Sequence, residues 1–232
     1  MQIIYFLFGA IIFLILVYIV LPSFYKKYIF HYPSKEFLNS GNICLTFDDG
    51  PDPKVTLEVL ELLKSHGAIG TFFINGKSAE RFPEIVKAIQ KEGHIVGEHG
   101  YDHLNAWKVS PWQYWAELTT SKRILDECIG ENEERYFRPA YGKVNLLTYL
   151  FMVRYKRKMI LWNANSNDYK QITASEIVEN VIRQHNAGCV VLMHDGCINY
   201  PEMGDVKIEA IQRILKHPRF SGKEFVAVDT TI

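Results

Sequence analysis

The chain has 232 residues, of which 48% are hydrophobic and 22% are charged. This length suits one single-core domain, and this composition is typical of a globular protein and excludes a disordered chain. The 26 basic and 26 acidic side chains cancel, so the charge gives no support for a nucleic-acid surface or for general binding to acidic polymers.

The first predicted element is a membrane-spanning helix at residues 3–21. This segment, IIYFLFGAIIFLILVYIVL, carries no charge, and as a helix it rises about 28 Å, enough to span the hydrocarbon core. A cleaved signal peptide is the alternative, but Met1-Gln2 carries no basic side chain and residues 21–25 make a poor cleavage site. We therefore predict an uncleaved transmembrane anchor over residues 1–22.

A juxtamembrane linker over residues 23–41 is predicted to join the anchor to a catalytic domain at residues 42–232. Lys26 and Lys27 follow the anchor, and no basic side chain precedes it. The positive-inside rule then favours the cytoplasmic face for the domain, although a large domain can be translocated regardless. An interfacial aromatic belt or an ordinary apolar linker would each explain the next aromatic residues, which are Tyr25, Tyr28, Phe30, His31 and Tyr32.

From residue 42 onward, short apolar runs alternate with segments of helical period. Strands are predicted at residues 43–47, 70–74, 94–97, 135–137, 159–162, 189–193 and 225–228. Helices are predicted at residues 55–66, 79–92, 111–128 (with Ser110 as N-cap), 175–185 and 206–217. This alternation indicates an α/β fold of parallel strands covered by helices, either an open doubly wound sheet or a (β/α) barrel. In both, ligands gather at the carboxyl ends of the strands.

The four cysteines are far apart and form no C-x-x-C pair, so we expect no disulfide framework. They are Cys44, Cys128, Cys189 and Cys197. Cys44 and Cys189 lie inside apolar runs, which is typical of small buried hydrophobic side chains.

Two adjacent carboxylates end the first predicted strand, in TFDDGP at residues 46–51. Along a regular strand Asp48 and Asp49 would point to opposite faces, but a turn at Gly50-Pro51 lets both face one pocket. Packing two anions together is costly unless a cation lies between them or one takes a proton. An ordinary turn is the alternative, since Asp, Gly and Pro are all common turn formers.

The second polar segment is HGYDH at residues 99–103. On one helical turn, His99 and His103 would share a face and their imidazoles would converge on one ion, while a chance surface pair is the alternative. With a carboxylate from the Asp48-Asp49 turn they would form a two-His, one-carboxylate site with room for water. Such sites suit zinc, cobalt, nickel or iron(II), and their open positions suit hydrolysis.

Two more polar residues follow predicted strands. Arg138, in RPAYG, could orient a carboxylate with its planar fork, or it could form a surface salt bridge. His194 follows the very apolar residues 189–193 and could protonate a departing amine near neutral pH, or it could be an ordinary core or loop residue.

In this order the motifs resemble those of the polysaccharide deacetylase (NodB-homology) family, carbohydrate esterase family 4. They are TFDDGP, HGYDH, RPAYG, a divergent WNANSNDY and LMH, and the resemblance covers about residues 42–230. It implies a deformed (β/α) barrel that binds one divalent metal ion, with zinc preferred and cobalt or nickel as alternatives. The implied metal ligands are Asp49, His99 and His103.

The resemblance also implies the catalytic roles. Asp48 would be the general base, oriented by Arg138, and His194 would be the general acid, oriented by Asp168. The backbone N–H of Tyr141 would stabilise the oxyanion. The acetyl pocket would be lined by Trp162 and Leu192.

Four positions depart from the family pattern. Gly100 stands where Ser or Thr usually follows the first metal histidine, which removes a loop-bracing hydroxyl but no ligand. Ala140 stands where Pro or Trp is common, and Asn165 and Tyr169 stand where Asp and Trp are frequent. Because Asn165 and Tyr169 depart from the pattern, the way in which the surroundings adjust His194 as an acid is the least defined of the implied roles.

The first functional hypothesis is an N-deacetylase of an acetamido sugar, lipid-linked or in a cell-envelope polysaccharide. The short connection after Leu21, the Lys26-Lys27 flank and the unpaired cysteines favour the lipid-linked substrate, and HGYDHLNAW with the later Asn145 is similar to members acting on lipid-carried amino sugars. The alternatives are an O-acetyl esterase, a catalytically silent carbohydrate-binding member and a structural membrane protein. A silent member should have lost a catalytic position such as Asp48, and a structural protein leaves the clustered Asp and His residues unexplained.

Overall fold

The computed structural model describes residues 1–29, 33–131, 135–185, 187–196 and 201–228. Its strands are β1 Ile43–Asp48, β2 Thr71–Ile74, β3 Ile95–Glu98, β4 Arg135–Phe137, β5 Arg157–Met159, β6 Ala164–Asn165 and β7 Cys189–His194. Its helices are α1 Gln2–Ile15, α2 Leu21–Ile29, α3 Lys35–Ser40, α4 Val55–Ser65, α5 Gly76–Arg81, α6 Pro83–Lys91, α7 Pro111–Ile129, α8 Leu146–Arg154, α9 Ala174–Gln184 and α10 Gly204–Leu215.

The seven described strands form one parallel sheet in the order β5-β4-β3-β2-β1-β7-β6. The sheet curls into a half-barrel flanked by helices, which confirms the predicted deformed (β/α) barrel. β1 lies between β2 and β7, and every residue of these three strands except His194 is buried, as expected for strands covered on both sides. Asp48 at the end of β1 pairs in register with His194 at the end of β7, so the two carboxyl ends meet.

The N-terminal helices form one continuous helical segment whose C-terminal end contacts the α/β domain. A π-helical turn, Leu16–Val20, joins α1 to α2. Residues 2–26 are long and apolar enough to cross a membrane, a property that a signal sequence shares. The amide of Asn145 donates to the Tyr18 hydroxyl (3.1 Å), and the Tyr149 hydroxyl donates to the carbonyl oxygen of Pro22 (2.6 Å). The candidate membrane span is therefore attached to the domain by specific hydrogen bonds.

The linker region contains ordered structure. Helix α3 lies inside the predicted linker, capped by the Ser34 hydroxyl, and its Phe37 is buried beside Cys44. Tyr25 is exposed against Phe24, whereas Phe30, His31, Tyr32 and the side chain of Tyr28 lie outside the described residues.

Several element boundaries differ from prediction for local reasons. The predicted helix 79–92 is two helices, because Phe82 precedes Pro83 and leaves the helical region (φ −135°, ψ 56°). The strand predicted at 159–162 is Arg157–Met159, and the one at 225–228 is a single bridge from Phe225 to Ile43. Helix α8 was not predicted, since its apolar residues show no one-sided helical pattern.

The cysteine prediction agrees with the described part of the chain. Cys44, Cys128 and Cys189 are free thiols, and Cys44 and Cys189 are buried. Cys197 lies outside the described residues.

Candidate active site

The two carboxylates at the end of β1 face the same imidazole. Asp48 is the last strand residue, and Asp49 has a left-handed backbone with φ 72°, which breaks the alternation of the strand. Asp48 Oδ2 lies 3.7 Å and Asp49 Oδ1 lies 3.5 Å from His99 Nε2. The turn thus brings both acids to one pocket.

The two histidines come together through a loop, so the predicted helical turn was wrong. His99 directly follows β3, Gly100 has φ 87° and His103 has φ 56°, values that a right-handed helix does not contain. The backbone N–H of Gly76 donates to the carbonyl oxygen of Gly100 (2.8 Å), which ties the loop to the start of α5. The two imidazole centroids lie 5.1 Å apart.

Asp49, His99 and His103 have the geometry of a three-ligand cation site. One ligand atom from each residue lies within 4.8 Å of the other two. Asp49 Oδ1 is 3.5 Å from His99 Nε2 and 3.4 Å from His103 Nε2, close to the roughly 3.4 Å expected between two tetrahedral zinc ligands. That buried oxygen has no hydrogen-bond partner among the described residues. Two imidazoles and one carboxylate also match the donor set of catalytic zinc sites, so the residues fit a divalent metal ion.

The environment of His99 suits its ring to metal binding. Its Nδ1 lies 2.7 Å from the carbonyl oxygen of Arg138, an acceptor that fixes the proton on Nδ1 and leaves Nε2 as the lone-pair donor. Burial lowers the pKa of His99 to about 3, against the opposing effect of Asp49. The ring is therefore neutral at physiological pH, as a metal ligand must be.

Arg138 holds Asp48 in a fixed orientation. The fully buried guanidinium donates from Nη1 to Asp48 Oδ1 (2.7 Å) and to the Thr46 hydroxyl (2.7 Å), and it lies over the Phe73 ring. Burial raises the pKa of Asp48 even though the Arg138 charge and hydrogen bond lower it. Because Arg138 binds Oδ1 of Asp48, the other carboxylate oxygen, Oδ2, is the one that faces His99.

His194 is paired with Asp168. Both lie on the β7 side of β1, opposite to the side that carries His99 and Arg138. Its Nδ1 lies 2.7 Å from Asp168 Oδ1, and its backbone N–H donates to Asp168 Oδ2 (2.7 Å). Burial alone would lower the pKa of His194, but the charge and hydrogen bond of Asp168 raise it to about 9. Burial likewise raises the pKa of Asp168, but His194 outweighs it and the net pKa is lowered. At neutral pH the pair is therefore imidazolium and carboxylate.

The residues expected around the acetyl group lie beside these pairs. Tyr141 has φ 56° in a tight turn, is exposed, and its ring centroid lies 4.4 Å from that of His103. Trp162 packs closely against Gly142, the next residue of that turn. Leu192 is buried, and the strand alternation of β7 places it on the same face as His194.

Glu117 braces the histidine loop, a role that was not predicted from the sequence. This buried residue of α7 accepts from the backbone N–H of Asp102 and from that of Leu104, both at 3.0 Å. A Cβ on Gly100 would lie 2.7 Å from Glu117 Oε1, so the carboxylate occupies the space beside Gly100 that a larger residue would need.

Asp195 supports the Asp48-Asp49 turn and was also missed. Its buried carboxylate accepts from the Thr56 hydroxyl (2.6 Å), and a Cβ on Gly50 would overlap it. Burial raises the pKa of Asp195 to about 7. Its place directly after His194 was the available signal, but the spacing alone does not separate a structural acid from a catalytic one.

These groups together can perform hydrolysis. The strand ends hold a candidate cation site, a buried carboxylate with one free oxygen, and a protonated imidazole with one free edge. Hydrolysis of an amide requires electrophilic activation of the carbonyl, a base for the attacking water and an acid for the departing amine.

Comparisons with known proteins give the same fold and one enzyme class. The sequence model described as polysaccharide deacetylase matches residues 37–159. A peptidoglycan-N-acetylglucosamine deacetylase of Bacillus cereus is 31% identical over 206 residues, which cover 89% of this chain and 73% of the relative. A chitooligosaccharide deacetylase of Azorhizobium caulinodans is 29% identical over 159 residues, which cover 68% of this chain and 76% of the relative.

The structural similarity extends over nearly the whole chain. The crystal structure of a peptidoglycan N-acetylglucosamine deacetylase in complex with 4-naphthalen-1-yl-N-oxidanyl-benzamide superposes with a TM-score of 0.79 at 30% identity. The match covers 90% of this chain and 95% of that one. Sequence and fold therefore point to the same family.

Proposed function

Because the chain belongs to the polysaccharide deacetylase family, we propose that it hydrolyses the acetamide group of an N-acetylated sugar with one divalent metal ion. The observation that carries the proposal is the meeting of three groups at the ends of β1, β3 and β7. These are the Asp49, His99 and His103 cluster, the Asp48–Arg138 pair and the Asp168–His194 pair.

Asp49, His99 and His103 would hold the metal ion, which when bound supplies a Lewis acid that polarises the acetamide carbonyl and acidifies the attacking water. The donor set suits zinc first, and cobalt or nickel as alternatives. The buried Asp49 oxygen and the fixed His99 tautomer support this assignment.

Asp48 acts as the general base. Arg138 fixes Oδ1, so Oδ2 is the atom that takes the proton from water as its oxygen attacks the carbonyl carbon. We propose that the backbone N–H of Tyr141, a residue whose ring packs against that of His103, stabilises the developing oxyanion. Trp162 and Leu192 then bound the methyl group of the acetyl.

His194 acts as the general acid. Asp168 engages Nδ1, so the proton on Nε2 goes to the sugar nitrogen as the C–N bond breaks. Acetate and an amino sugar leave, and the proton taken by Asp48 balances the one that His194 gives. Because the His194 pKa is about 9, the imidazole carries this proton at neutral pH.

For the substrate we propose an acetamido sugar, lipid-linked or in a cell-envelope polysaccharide, with the lipid-linked form preferred. The ammonium of Lys26, at the end of the candidate span, donates to the carbonyl oxygen of Gly142 (2.9 Å), beside Tyr141. The turn that carries Tyr141 is therefore separated from the end of the anchor by the length of one lysine side chain. A sugar carried on a membrane lipid would meet it without leaving the bilayer surface.

The test is acetate release from a panel of substrates by the purified full chain. The panel pairs lipid-linked and polymeric N-acetyl sugars with O-acetyl sugars of the same ring, so that amidase and esterase activities separate. We expect one tightly bound divalent ion per chain, loss of activity with a chelator, and recovery with zinc. Acetate from the O-acetyl sugars alone would instead identify an esterase.

Variants separate an enzyme from a silent binding member. Asp48→Asn and His194→Ala should each lower kcat by about 10²–10⁴-fold, while His66→Ala, a partly exposed histidine at the C-terminal end of α4, should leave it unchanged. Full activity in either catalytic variant would exclude the mechanism. Sugar binding without acetate release by the wild-type protein, metal included, would establish the silent alternative.

We also propose that the anchor stays uncleaved, because cleavage after residue 22 would remove the hydrogen bonds that Tyr18 and Pro22 make with the domain. The mass of the membrane-extracted chain tests this directly. For the side of the membrane we propose the cytoplasmic face, from the Lys26-Lys27 flank. A topology reporter fused after Ile232 tests it, and an external readout would exclude this orientation and favour a cell-wall polymer as substrate.

A further inference from the structure

Helix α8 presents an apolar stripe to the outside of the domain. Leu146, Leu150 and Val153 are 39%, 50% and 81% exposed. At about 100° per residue these positions fall within about 60° of one another on the helix surface. Such a continuous exposed stripe on a small domain marks an interaction surface more often than isolated exposed leucines do.

The stripe lies beside the candidate membrane span. Asn145, the N-cap of α8, bonds to Tyr18, and Tyr149 bonds to Pro22. Tyr149 lies only about 40° around the helix from Val153, so the stripe borders the face that contacts the anchor. Tyr18 lies three residues before the end of the apolar run at Leu21, or about 4.5 Å inside the hydrocarbon boundary. The start of α8 is therefore level with the edge of the bilayer.

The sequence around α8 carries basic side chains and no acidic ones. Residues 135–167 contain seven Lys or Arg and no Asp or Glu. Three of the seven are buried in ion pairs, and the four that remain accessible are Lys143, Arg154, Lys156 and Lys158. Lys143 precedes the stripe and the exposed Arg154 ends it. Trp107 adds a half-exposed indole whose N–H donates to the carbonyl oxygen of Val144 (2.8 Å). An apolar stripe flanked by cations and an indole is the composition of a surface at the headgroup level of an anionic membrane.

We propose that α8 is a second membrane contact, with Leu146, Leu150 and Val153 in the outer acyl region and Lys143 and Arg154 among anionic headgroups. Together with the anchor it fixes the orientation of the catalytic domain and holds the turn at Tyr141 close to the bilayer. The inference rests on the membrane anchor proposed above and does not depend on which sugar is the substrate.

Spin labels on the full chain test this contact without an activity measurement. Single cysteines replace Leu150 or Val153, with Leu57→Cys on α4 as the control, because Leu57 is similarly exposed (43%) and lies on a different helix. The background carries Cys128→Ser and Cys197→Ser, while the buried Cys44 and Cys189 stay. The protein is reconstituted in phosphatidylcholine–phosphatidylglycerol vesicles, and collisions of each nitroxide with O2 and with a water-soluble nickel chelate are compared.

We expect O2 collisions to dominate at positions 150 and 153 and nickel collisions to dominate at position 57. Nickel-dominated collisions at all three positions, in protein that floats with the vesicles, would overturn the α8 contact and leave the anchor standing. Failure to float would overturn the anchor and the contact together. Dipolar broadening at position 153 would show a second copy of the chain covering the stripe, and would also overturn the proposal.

Discussion

Replacing Asp168 by asparagine should lower the pKa of His194 and move the alkaline limb of the pH–rate profile. In the wild-type protein the charge and 2.7 Å hydrogen bond of Asp168 overcome burial and raise this pKa to about 9. Asp168→Asn keeps the shape of the side chain but removes its charge, so that only the smaller effects of Asp48 and Asp49 still oppose burial and the pKa should fall toward the ordinary 6.5. That fall corresponds to about 3 kcal/mol of lost stabilisation of the protonated form.

The assay is kcat/KM for acetate release between about pH 5 and about pH 10. An acid must be protonated to act, so the wild-type rate should decline only as the pH rises through about 9. In Asp168→Asn the decline should begin near pH 6.5, which costs roughly thirtyfold at pH 8 from the protonation state alone. The direct check is the titration of the His194 ring by NMR in both proteins.

The control is Asp205→Asn, an exposed acid whose partner is Lys54 on the surface, and its profile should match the wild type. An unchanged alkaline limb in Asp168→Asn would refute the electrostatic argument. An equal loss at every pH would refute it as well, because it would show that Asp168 only positions the ring of His194.

Three further variants probe the groups around the site. Arg138→Lys removes the fork that holds Asp48, so kcat should fall with KM little changed, and urea unfolding should show a loss of about 2–4 kcal/mol. Glu117→Gln should weaken zinc binding about 10–100-fold in competition with a fluorescent chelator, whereas the exposed Glu127→Gln on the same helix should not. Gly100→Ser places a Cβ against Glu117 at positive φ and should destabilise the fold by about 1–3 kcal/mol in urea unfolding, whereas an unchanged midpoint would contradict this packing.

Sequence reasoning located the parts of the fold that local patterns determine. Buried parallel strands are short apolar runs, so β1 and β7 and their carboxyl ends were visible, and with them Asp48 and His194. Ser110 was identified as a cap because Ser before Pro at a helix start has a local cause. Polar residues at the carboxyl ends of buried strands can therefore largely be predicted from the sequence.

The missed features depend on contacts between distant segments. Helix α8 is apolar on its outward face as well as its inward one, which hides the period that marks a helix in water. Glu117 reaches the histidine loop from 15 residues along the chain, and Asp195 reaches Thr56 across 139. Periodicity and spacing cannot report such contacts, because they depend on how α7 and β7 pack in three dimensions.

The helical turn expected at residues 99–103 shows how a correct outcome can follow from a wrong geometry. Two histidines four apart converge on a helix, but here His99 and His103 converge because Gly100 and His103 adopt positive φ. Such a loop needs its freed N–H groups satisfied, and the Glu117 carboxylate supplies that from α7. The family position that usually carries a hydroxyl can then be glycine, because Glu117 fills the space beside it. The three candidate metal ligands keep their geometry, and the side chain that braces their loop comes from α7. The loss of that hydroxyl therefore does not mark this chain as a silent member.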